Sequence, residues 1–181
     1  HPNSRRQRQM CIRDRYSYID WIGKRKQKIN ISIKSNFMKT IDYKISGFNH
    51  CEFYVGNAKQ TAHYYQTTMG FQLIAYRGLE TGVRDRVSYV LNQNKINLVI
   101  TSPLQKNTPI GSHIDIHGDG IKDVSFTVDD SELAWRTSID RGARSALEPI
   151  EIKDDDGEAV ISAIQTFGAV SYTHLTLPTT V

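Results

Sequence analysis

The chain has 181 residues, 39% of them hydrophobic and 23% charged, and a formal net charge of +4. This composition excludes a disordered or fibrous chain, and no apolar run reaches the ~18 residues that suggest a membrane-spanning helix. Two cysteines, Cys11 and Cys51, are too few for a disulfide framework, so a reducing, cytoplasmic setting is expected.

The charge is uneven along the chain. Residues 1–37 carry ten basic and two acidic side chains, residues 38–168 carry 13 basic and 17 acidic, and residues 169–181 carry none. The basicity belongs to one end, and the mildly acidic body offers no electrostatic attraction to nucleic acid. For the basic end, a nucleic-acid arm, an organellar transit peptide and a non-biological segment compete. QRQMCIRDR near the start and VSYTHLTLPTT near the end both resemble translated sequencing-adapter read-through. Residues 1–37 are therefore read as a non-native or disordered flank, with Met38 as the start, and residues 169–181 as a non-native tail.

From Gly47 the pattern is regular. GFNHCEFYVG reads as a strand, Asn57 as a helix N-cap, AKQTAHYYQTTM as an amphipathic helix, and Gly70 as its close. Strand-like runs follow at 71–78, 86–93 and 95–102, the last two separated by a tight turn at Asn94. The stretch 103–120, with its prolines and glycines, reads as a long connection. The pattern then restarts with GIKDVSFTVDD as a strand, Asp130 or Ser131 capping the helix ELAWRTSIDRG, and two strands around the turn DDDG at 154–157.

The halves repeat. Phe53 and Phe126, Val55 and Val128, and Asn57 and Asp130 each differ by 73 positions, so strand phase and helix cap recur together. The expected fold is α+β: paired βαβββ units at about 47–102 and 121–168 within one domain, 38–168. The second unit is expected to be truncated by about one strand.

On FNHCEFYVGNAKQTAHYYQTTMGFQLIAYRGLETGVRDRVSYVLNQNKINLVITSPL, on HGDGIKDVSFTVDD and on EPIEIKDDDGEAVISAIQTFG, the body resembles the amino-terminal half of the 4-hydroxyphenylpyruvate dioxygenase family, a branch of the vicinal-oxygen-chelate superfamily. The related 4-hydroxymandelate synthases share that fold and substrate. The resemblance implies an Fe(II) enzyme of tyrosine catabolism that takes a 2-oxo acid and O₂ and is a homo-oligomer at full length. It also implies that the two-His-one-carboxylate iron site and the substrate pocket lie in a carboxy-terminal half. No catalytic, substrate-binding or metal residue carries over to this chain, no cofactor is expected in it alone, and its implied partner is that other half. A 4-hydroxymandelate synthase fragment, a stand-alone metal-dependent superfamily enzyme and a small-ligand-binding dimer are the alternatives.

Several residues invite a sharper reading. His50 stands where many superfamily members place a metal ligand, but the position 73 further on is Asp123, so a structural role is expected. His113 and His117 have i, i+4 spacing, yet Gly111, Gly118 and Gly120 around them predict a loop. Asp154, Asp155, Asp156 and Gly157 lack the alternating ligands of a calcium loop and read as a hairpin turn. Cys51 reads as a buried, inert thiol, Tyr64, Tyr65 and Trp135 as packing residues, and GLETG at 78–82 as a loop rather than a phosphate cradle. Neither a nucleic acid nor a membrane is an expected partner.

Overall fold

The computed structural model describes residues 41–154 and 157–177. The basic flank 1–37, the suspected start Met38, and Asp155 and Asp156 of the acidic turn lie outside the described residues. Strand β1 (Ile45–Tyr54) leads to helix α1 (Ala58–Met69), then to β2 (Gln72–Arg77), β3 (Arg86–Gln93) and β4 (Ile96–Pro103). Helix α2 (Pro109–His117) bridges to the second unit, made of β5 (Gly120–Val128), helix α3 (Ser131–Asp140), β6 (Ser145–Asp154), β7 (Gly157–Gln165) and β8 (Ser171–Thr176). The sheet order is β2-β3-β4-β1-β5-β8-β7-β6. The first strand of each unit pairs in parallel with the last strand of the same unit, and the two first strands pair antiparallel at the centre.

The helix caps follow the sequence repeat. The Asn57 side chain accepts from the Gln60 amide at 3.1 Å, and the Asp130 side chain accepts from the Leu133 amide at 2.8 Å. Each satisfies one of the orphan N–H groups of a first helical turn. Gly70 closes α1 at φ 75°, a left-handed conformation that costs a residue with a Cβ. In the first unit Ala58 and Ala62 of α1 pack with Leu91, Leu98 and Ile100 of the sheet. Their small side chains let the helix sit close to the strands. Tyr65 closes the same side against Phe71, with ring centroids 5.7 Å apart. Tyr65 and Trp135 thus pack, Trp135 also donating to the Ser145 hydroxyl, whereas Tyr64 is largely exposed.

Two expectations are corrected. The second unit is not one strand short: Ser171–Thr176, inside the segment read as an appended tail, form β8 between β5 and β7. Its Thr-rich composition hid it, but threonine and tyrosine fit a pleated strand well, and the pairing covers an edge of β5 that would otherwise be open. The stretch 103–120 is not a plain connection either. Thr108 caps α2 by accepting from the Gly111 amide at 3.1 Å, Pro109 occupies its start, and Ile110 is buried beneath it. Proline at the first helical position costs no hydrogen bond, and the buried Ile110 offsets the poor helix propensity of Gly111. His113 and His117 therefore lie on a helix, not in a loop. Strands β6 and β7 pair antiparallel as far as Asp154 opposite Gly157. Within GLETG, Leu79–Thr81 form one turn of 3₁₀-helix.

Candidate functional site

The face of the sheet opposite α1 and α3 holds a cavity of about 790 Å³. Strand alternation decides what lines it. On β1, Cys51 and Phe53 pack into the helix-side core, so His50, Glu52 and Tyr54 face the cavity. On β5, Asp123 and Ser125 face it as well. Because β1 and β5 run antiparallel, Glu52 stands directly opposite Asp123, and His50 opposite Ser125. The repeat offset makes His50 equivalent to Asp123 and Glu52 equivalent to Ser125, since 50 + 73 and 52 + 73 are 123 and 125. What the sequence lacks is the register that turns equivalent positions into cross-strand neighbours.

Each carboxylate is tied to its own unit. Thr101 Oγ1 on β4 donates to Glu52 Oε1 at 2.7 Å, while Ser171 Oγ and Thr173 Oγ1 on β8 donate to Asp123 Oδ1 at 2.5 and 2.9 Å. Burial raises the Glu52 carboxyl above its ordinary value of 4.5; the Thr101 hydrogen bond opposes this and Asp123 adds to it. Burial also lowers the imidazole of His50, against the pull of Asp123, and its Nδ1 lies 2.8 Å from Asn49 Oδ1. Cys51 is half-buried, and burial raises its thiol, so it is not poised as a thiolate. His113 and His117 sit apart from this group on α2, with rings 4.7 Å apart and Tyr54 edge-on to His113.

The Glu52 shift has a testable sign. Below about pH 4.5 the carboxyl is protonated in both folded and unfolded chains and carries no penalty. As pH rises through the raised folded value, the native state pays to ionise a buried group opposite Asp123. Replacing Glu52 with glutamine removes that cost while keeping an acceptor for Thr101. The variant's stability relative to the parent is therefore expected to rise as pH climbs from about 4.5 through the raised folded value and to level off above it, as read by urea unfolding across pH.

Comparison with known proteins decides the family. The family model described as "Hydroxyphenylpyruvate dioxygenase, HPPD, N-terminal" matches residues 41–175. The chain belongs to the hydroxyphenylpyruvate dioxygenase family. A 4-hydroxyphenylpyruvate dioxygenase from Aspergillus fumigatus is 39% identical over 141 residues, covering 70% of this chain and 35% of that protein. One from Xenopus tropicalis is 43% identical over 129 residues, covering 71% and 33%. The chain thus spans about a third of the length of these curated dioxygenase relatives. Among solved structures, a variant 4-hydroxymandelate synthase from Streptomyces coelicolor superimposes with a TM-score of 0.69 at 27% identity, over 75% of this chain and 39% of that one. The higher identity to the named dioxygenases favours that branch over the synthase.

A dioxygenase of the kind the resemblance implies holds its iron with two imidazoles and a carboxylate, leaving positions open for O₂. Among the described residues, no three His, Cys, Asp or Glu side chains come together so as to hold a metal ion. The described part of this hydroxyphenylpyruvate dioxygenase domain does not fit the iron. No helix of the described residues is long and apolar enough to cross a membrane.

Proposed function

We propose that this chain is the amino-terminal half of a 4-hydroxyphenylpyruvate dioxygenase, an enzyme that converts 4-hydroxyphenylpyruvate and O₂ into homogentisate and CO₂. The observation that carries the reading is the match of residues 41–175 to an amino-terminal family model, in a chain spanning a third of its dioxygenase relatives. In this reading Fe(II) and the 2-oxo acid belong to the carboxy-terminal half, and this half gives it a folded neighbour. The full-length enzyme would be a cytoplasmic homo-oligomer. Exposed aromatic surface supports a missing neighbour: Phe167 is 92% exposed, and Phe48, 70% exposed, lies beside Phe126.

An iron titration tests the division of labour. The 181-residue chain is expected to retain less than a tenth of an equivalent of Fe(II) after desalting. A version of the Xenopus relative in which residues 41–175 of this chain replace the matching third is expected to retain about one. Stoichiometric iron in the chain alone would contradict the proposal.

A further inference from the structure

We propose that the cavity on the face opposite α1 and α3 binds a small molecule carrying a primary ammonium group on an apolar body. This stands on the geometry of β1 and β5 and holds whether or not the dioxygenase reading does. Glu52 and Asp123 face each other across the central strand pair, where opposed side chains bring their Cβ atoms about 4.5–5.5 Å apart and like charges repel. Asp123 is 7% exposed. A cation between the two carboxylates converts that repulsion into attraction.

The remaining acceptor is Ser125. Its residue is 0% exposed, it lines the cavity, and its Oγ has no hydrogen-bond partner among the described residues. A buried hydroxyl left unpaired costs free energy that a ligand would recover. The hydroxyls of Thr101, Ser171 and Thr173 reach Glu52 Oε1 or Asp123 Oδ1, and no donor among the described residues reaches Glu52 Oε2 or Asp123 Oδ2. With Ser125 Oγ they make three acceptors, matching the three N–H donors of a primary ammonium.

Among the charged groups near the carboxylates, His50 leaves room for this occupant, whereas Lys122 and Arg86 are cations that compete with it for Glu52. Burial disfavours the charged form of His50, which stands opposite Ser125. Lys122 also lines the cavity, but its Nζ donates to the Ala169 carbonyl at 2.6 Å. Arg86 acts on Glu52 from β3, and its Nε, 3.5 Å from Asp85, has no hydrogen-bond partner among the described residues. The far wall is apolar, with Leu147, Ile161, Ala163 and Leu175, and about 790 Å³ is the scale of an organic ligand rather than a bare ion.

The test is isothermal titration of the 181-residue chain at pH 7.5 with 2-phenylethylamine and n-hexylamine as probes, and 2-phenylethanol and 3-phenylpropionate as isosteres. At least one amine is expected to bind one-to-one and at least tenfold more tightly than either isostere. Glu52→Gln and Asp123→Asn are expected to weaken it at least tenfold, and Ser125→Ala severalfold, with each variant's fold checked by its unfolding transition. The isostere comparison needs no variant, so it stands even if a substitution unfolds the domain. Failure of both amines to saturate, equal binding of 2-phenylethanol, amine binding unchanged in folded Glu52→Gln and Asp123→Asn, or binding of Mg²⁺ or Zn²⁺ without amine binding would each overturn the proposal.

Discussion

Replacing Leu91 with alanine is expected to destabilise the domain by about 3–5 kcal/mol, the cost of deleting a large side chain from a site that cannot collapse. Leu91 is 0% exposed and sits among Val55, Ala58, Ala62, Phe71 and Ile100. On β3 it stands opposite Leu73 of β2 on one side and Leu98 of β4 on the other. The backbone around it is held by sheet pairing on both flanks, and α1 rests on the same cluster, so neither side can move in to fill the void. Set against a typical domain stability of about 5–15 kcal/mol, the loss lowers the melting temperature by roughly 10 °C or more. Urea unfolding checks it: the midpoint falls with little change in slope. Ile96→Ala on the neighbouring strand, where the side chain is 54% exposed, is the control and is expected to cost about 1 kcal/mol or less.

Ser162→Leu is expected to cost a comparable amount in the second unit, by a different route. Ser131 at the start of α3 and Ser162 on β7 are 1% and 0% exposed, with their hydroxyls 2.9 Å apart. Ser131 Oγ reaches the His174 carbonyl of β8 at 2.9 Å, and Ser162 Oγ donates to the Ser131 carbonyl at 3.0 Å. These contacts fasten the helix start to two strands without a gap. Leucine removes a buried partner, worth about 1–3 kcal/mol, and forces extra carbons into filled space at about 1–3 kcal/mol more. Ser162→Ala separates the two terms: it loses the hydrogen bond but adds no volume, and is expected to show only the smaller share. Equal effects of alanine and leucine would show that the site has room, contrary to the packing described.

The repeat was legible because it rests on local chemistry. Asn57 and Asp130 are both N-caps, and a cap needs only its own helix to act. Gly70 announced its left-handed turn for the same reason. Helix α2 was hidden because glycines at 111, 118 and 120 outweighed the cap and proline at Thr108 and Pro109, which together were the better signal. Strand β8 was hidden because a Thr-rich segment carries a weak hydrophobic period, and its burial comes from neighbours far along the chain. Within the cavity, His50 and Asp123 could be noted as repeat equivalents, but Glu52 and Ser125 could not be grouped with them. Their association depends on the antiparallel register of β1 against β5, a pairing over more than 70 positions. It also depends on the register shift in β1 between Phe48 and His50.

In the proposed function this domain supports chemistry carried by another half. Homogentisate formation measures it most directly. The 181-residue chain, given Fe(II), a reductant to keep the iron ferrous, 4-hydroxyphenylpyruvate and O₂, is expected to form no homogentisate above the protein-free rate. The Xenopus relative carrying residues 41–175 of this chain in place of its own matching third is expected to form it, with O₂ consumed in equal amount. Turnover by the chain alone would contradict the account, and so would a folded, iron-loaded chimera that forms none.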